Sequence, residues 1–85
     1  MDACYYLLIR RTPDGLFVGW VPDLPGVSAC SVVEDEVIRR LSRDAKDLLH
    51  RIVAKGLAPP APSPADKLPL GDRQGLYRRL LLVLG

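Results

Sequence analysis

Eighty-five residues leave room for one domain and one core, a size at which a partner subunit, a metal or a disulfide often has to supplement burial. The chain is 48% hydrophobic and 26% charged with a formal net charge of +2, which excludes a disordered acidic or basic tail and does not demand a nucleic-acid partner. No apolar run approaches the roughly 20 residues of a membrane span, and the apolar start at residues 5–9 stops at Arg10, too early for a secretory signal. A cytoplasmic protein is therefore expected.

Residues 4–11 are rich in aromatic and branched side chains and run into Thr12-Pro13-Asp14-Gly15. Proline presets φ, aspartate bonds nearby amides and glycine accepts a positive φ, so this is a turn. Residues 16–21 are again strand-like, and the two runs predict a β-hairpin. Pro22-Asp23-Leu24-Pro25-Gly26 carries two prolines that would remove donors from a central strand, and it reads as a rigid corner. Residues 27–30 then have room for a short third strand.

A helix over about 32–55 is the strongest expectation. Ser31 stands three residues before Glu34, the spacing of a capping box. Glu34, Asp35 and Glu36 suit the positive end of the helix dipole. Val37, Ile38, Leu41, Ala45, Leu48, Leu49 and Ile52 recur at helical spacing. Gly56 supplies the C-terminal cap, and Pro59 prevents continuation. Asp35–Arg39, Glu36–Arg40 and Asp47–Arg51 are acid-before-base pairs four apart. Residues 58–64 hold four prolines, and residues 58–75 as a whole are expected to connect the helix to the last element. Residues 76–84 fit either a helix, with Leu76, Leu80 and Val83 in phase, or a strand buried on both sides; the short length and flanking glycines favour the strand.

The strands carry apolar residues on both faces. Tyr5, Leu7 and Ile9 point one way while Cys4, Tyr6 and Leu8 point the other; Leu16, Val18 and Trp20 likewise oppose Phe17 and Val21. One helix covers one face, so a homodimer or a partner complex on the far side or edge of the sheet is expected.

The run Gly15-Leu16-Phe17-Val18-Gly19-Trp20-Val21-Pro22-Asp23-Leu24-Pro25-Gly26, followed by an acidic helix start, Lys55-Gly56 and the proline-rich tail, resembles the HicB-like antitoxin family over residues 5–64. The resemblance implies an α+β domain with a degenerate RNase H-like fold, β-β-β-α-β, its last strand beside the first. It also implies a module that binds and blocks HicA, a small basic RNA-cleaving toxin. Three departures stand against the family pattern. The chain ends at Gly85, leaving no room for the DNA-binding domain many members carry, so a single domain over 1–85 is expected. Val27 and Ser31-Val32-Val33 replace the usual Gly-x-Thr approach to the helix. The net charge is slightly basic where antitoxins of basic toxins are usually acidic.

Catalysis is not expected. A magnesium-dependent nuclease of this fold needs several converging carboxylates, one on the first strand, and residues 4–9 hold none. His50 is the single histidine, so a metal site or histidine-based nucleophile pair lacks parts; no cofactor is expected. Asp23 is assigned to local backbone bonding, and Cys4, Cys30, Tyr5 and Trp20 to core packing. Arg39, Arg43, Lys46 and His50 form a basic stripe opposite the apolar helix face. It reads first as a solvated surface. The alternative is a small nucleic-acid-binding protein using Arg39, Arg43 and Lys46 with Arg73, Arg78 and Arg79.

Overall fold

In the computed structural model, which describes residues 3–64 and 76–83, the elements follow the order β1 (Ala3–Arg11), β2 (Phe17–Trp20), β3 (Ser28–Ser31), α1 (Glu34–Ala54) and β4 (Leu76–Val83). They build an α+β fold: one helix against a four-stranded antiparallel sheet of order β3-β2-β1-β4. The last segment is a strand, and it lies beside β1, as the resemblance implied.

Turn chemistry trims the expected strands. Leu16 is drawn into the hairpin turn, where its carbonyl accepts from the Thr12 N–H at 2.8 Å and its own N–H donates to Thr12 Oγ1 at 3.0 Å. Thr12 Oγ1 also donates to Asp14, and Gly15 adopts a φ of +91° that a side chain would resist. β2 therefore begins at Phe17. At the corner over 22–26, the Val21 N–H reaches the Val27 carbonyl (3.1 Å) and the Val27 N–H reaches Leu24 (3.1 Å). These bonds hold Val27 in the corner, so β3 starts at Ser28, one residue later than expected. Leu24 is fully buried and anchors the corner from below.

The helix begins at Glu34, and the expected capping box does not form. Val33 is the N-cap residue and offers no side-chain bond. Ser31 still belongs to β3, and its Oγ accepts from the Val33 N–H at 3.2 Å. The Glu34 carboxylate turns instead to the sheet, where it accepts from the Tyr77 hydroxyl and from Arg79 Nη1 at 2.6 Å. At the other end the Gly56 N–H donates to the Val53 carbonyl (2.9 Å) and the Leu57 N–H to Ile52 (3.1 Å), with Gly56 at φ +76°. This is a Schellman motif, in which a left-handed residue lets two orphan carbonyls be satisfied.

Val37, Leu41, Ala45 and Leu49 are buried against Tyr5, Leu7, Ile9, Val21, Leu24, Val27 and Leu81. Gly19 sits beneath this helix stripe: a Cβ there would lie 2.7 Å from Val37 Cγ1 and 3.0 Å from Leu41 Cδ1. The missing side chain is what lets the helix come down onto β2.

Candidate protein-binding surfaces

Strand alternation and register divide the sheet into two faces. Tyr5, Leu7, Ile9, Phe17, Tyr77 and Leu81 belong with the helix-side core. The outer face carries Cys4, Tyr6, Leu8 and Arg10 of β1, Val18 and Trp20 of β2, Ser28 and Cys30 of β3, and Leu76, Arg78 and Leu80 of β4. Leu8 is fully buried there, set between Trp20 and Arg78. Tyr6, Val18, Trp20 and Leu76 are half-buried, and Leu80 is 61% exposed. No carboxylate stands on this face among the described residues.

Cys4 and Cys30 are exposed free thiols, which overturns their expected place in the core. Each lies on a strand position whose side chain faces away from the helix, so parity, not hydrophobicity, decided their burial. Trp20 shares that face and is only half-buried; Tyr5, on the helix side, is 1% exposed.

The proline-rich segment is tied to the domain. Asp23 accepts from the Ser63 N–H (2.8 Å) with Oδ2 and from the Ser63 hydroxyl (2.6 Å) with Oδ1, and Tyr5 donates its hydroxyl to the Pro60 carbonyl (2.6 Å). Asp23 thus holds a segment 40 residues away, not its own loop. Burial raises the Tyr5 pKa above its usual value, and the charge of Asp23 adds to the effect. Pro13, Asp14, Pro25 and Gly26 are exposed around these turns, while Gly15 and Pro22 are partly covered.

Arg39, Arg43, Lys46 and His50 are all exposed. With Arg40 and Glu36, the first two border a shallow groove on the helix. Arg40 is bound to Glu36 (2.5 Å) and to the Cys30 carbonyl (3.2 Å), and Arg43 pairs with Asp44 (3.3 Å). Of the other expected helix pairs, Arg51 reaches the Asp47 main-chain carbonyl (3.4 Å) instead of its carboxylate. The extended cationic patch is not assembled: Arg79 turns to Glu34, Arg78 faces the outer side of the sheet, and Arg73 lies outside the described residues. The expected loop over 71–75 lies outside them too.

Glu34 and Ser63 are the residues that sequence reasoning missed as partners. Their contacts span 43, 45 and 40 positions, and no local spacing signals them. The Tyr77 pKa is pushed up to about 12, first by burial and then by the hydrogen bond and charge of Glu34, with Arg79 and Arg11 pulling the other way. Among the described residues no three His, Cys, Asp or Glu side chains stand together as metal ligands, and no helix is long and apolar enough to cross a membrane.

One helix lies on one face of a β3-β2-β1-β4 sheet, with a proline corner and a strapped-down tail, and solved structures share this fold. The N-terminal domain of the Burkholderia pseudomallei antitoxin HicB superposes with a TM-score of 0.76 at 16% identity, over 92% of this chain and 94% of that one. A chain of the HicA3 and HicB3 toxin-antitoxin complex superposes with a TM-score of 0.64 at 17% identity, over the same shares. No protein-family model matches the sequence, and no curated protein is similar enough to pair with it.

Proposed function

We propose that this chain is a non-catalytic protein-binding module of the HicB type, working in the cytoplasm as a homodimer that binds and blocks a small basic RNA-cleaving toxin. The observation that carries this reading is the likeness of fold to an antitoxin domain along nearly the whole chain. The resemblance carried by residues 15–26 agrees with it independently. The topology is read as a degenerate RNase H-like sheet whose first strand has no carboxylate from Tyr5 to Arg11, which fits a scaffold better than a nuclease. Residues 1–85 act as one domain in this reading, with 22–26 and the outer sheet face as the contact surfaces.

A second reading is favoured by one feature, the groove bordered by Arg39, Arg40 and Arg43. It makes the helix a phosphate-binding surface for nucleic acid.

Co-expression with a small basic protein encoded beside its gene tests the first reading. Growth rescue and a co-purifying complex that persists as salt is raised are the expected results. A toxin that is neither bound nor neutralised would overturn it. RNA binding that weakens steeply with salt, and falls when Arg39 and Arg43 are replaced, would establish the second.

A further inference from the structure

The two edges of the sheet are not equivalent. In an antiparallel ladder, successive residues direct their N–H and C=O groups alternately to the two sides. The Thr12 N–H bonds to Leu16 on the β2 side, so Arg10 and Leu8 also face β2, and Ile9, Leu7 and Tyr5 face β4. Their partners Tyr77, Arg79 and Leu81 direct their groups to β1. Leu76, Arg78, Leu80 and Leu82 therefore direct theirs away from the sheet.

By the same alternation the Val21 N–H, bonded to Val27, sets Ala29 and Ser31 toward β2, and only Ser28 and Cys30 face outward from β3. That edge is four residues long, and the Arg40 guanidinium, held by Glu36, occupies the Cys30 carbonyl. It is blunted in the way native edges are. The β4 edge is eight residues long, apolar except for Arg78 and Arg79, and no described strand flanks it. Charge on an edge normally discourages pairing. Here Arg79 is already matched by Glu34 on the helix side.

We propose that β4 pairs antiparallel with β4 of a second copy, about a two-fold axis through Leu80, to make one continuous eight-stranded sheet. Such an axis is perpendicular to the sheet and keeps both helices on the same side. Facing residues must then share a face, which leaves registers centred on single residues. Centring on Arg78 or Arg79 sets like charges directly opposite, which destabilises a sheet pair. Centring on Leu80 lies as near the strand midpoint as Arg79 does and opposes Leu80 to Leu80, Arg79 to Leu81 and Arg78 to Leu82. It also covers the most exposed large hydrophobic side chain on the outer face and joins the two apolar outer faces through Leu80. This inference deepens the self-association in the reading above; toxin neutralisation is a separate measurement and stands or falls by itself.

Light scattering on the eluting full chain tests the pairing across a range of concentrations. The wild type is expected at twice the chain mass, and Leu80→Lys, a change at an exposed side chain, at the monomer mass with unaltered far-ultraviolet dichroism. In a Cys4→Ser, Cys30→Ser background, Leu80→Cys should oxidise to a covalent dimer, because Cα atoms about 5.5 Å apart across a hydrogen-bonded pair suit a disulfide. Leu76→Cys, far from its counterpart in this register, should not. If Leu80→Lys unfolds the chain, the cross-link alone decides. A wild type monomeric at every concentration overturns the proposal, as does a dimer that Leu80→Lys leaves intact and Leu80→Cys does not link.

Discussion

Gly19 and Tyr77 show how single side chains set the distance between helix and sheet. A methyl group at position 19 would sit 2.7 Å from Val37 and 3.0 Å from Leu41, both fully buried with little room to yield. Gly19→Ala is expected to destabilise the fold by about 1–3 kcal/mol, the cost of overpacking a filled core, as a lower denaturant midpoint with an unchanged slope would report. The Tyr77 pKa in the folded protein is pushed up to about 12, whereas an unfolded tyrosine ionises near pH 10. The folded state therefore holds its phenolic proton more tightly. That contribution is complete below pH 10 and is lost as pH rises from there through about 12. Tyr77→Phe should flatten the alkaline fall in stability, measured by denaturation at a series of pH values. A Tyr77→Phe curve parallel to the wild type would contradict the raised Tyr77 pKa, which burial and then the Glu34 hydrogen bond produce.

Among elements, the proline-rich strap is where expectation and structure differ most usefully. Polyproline backbone has no internal hydrogen bonds, so a segment such as 58–64 is held only by what it touches. Asp23 takes two bonds from Ser63, and Tyr5 gives one to Pro60. Bonds to a charged group contribute about 1.5–3 kcal/mol when well placed, and partial exposure lowers that. Ser63→Ala removes only the hydroxyl bond and leaves the Ser63 N–H on Asp23, so Asp23→Ala should cost more than Ser63→Ala, and the double variant about as much as Asp23→Ala alone. Limited proteolysis near Ser63 should accelerate in each single variant. Additive losses and unchanged cleavage would mean that the strap is held elsewhere. The helix makes the complementary point: its apolar phase, acidic first turn and glycine stop were legible. Its start was displaced from 32 to 34 because Ser31 was kept by β3 and Glu34 by Tyr77 and Arg79.

At the scale of the whole molecule, the outer face explains why the sequence alternates so poorly between apolar and polar. β1 sits between β2 and β4 with both faces apolar, yet the helix covers only one. Leu8 is buried by its neighbours in the sheet, and what remains is a half-covered aromatic and aliphatic surface bearing Arg10 and Arg78. A toxin complex or a dimer formed on the sheet should therefore respond weakly to salt, whereas binding through the helix arginines should not.

Hairpin, corner, helix and tail could be read from residues alone because each depends on neighbours a few positions apart: proline and glycine set local dihedrals, and helical periodicity sets an apolar face. The resemblance to HicB-like proteins rested on the same local strings. Burial of the cysteines, the partner of Asp23, the diversion of Glu34 and the unequal sheet edges depend on strand parity, register and contacts 40 or more positions apart. Those contacts arise only when β4 and the proline strap fold back onto the first 34 residues, because a hydrogen bond chooses its partner by position in space and not by distance along the chain.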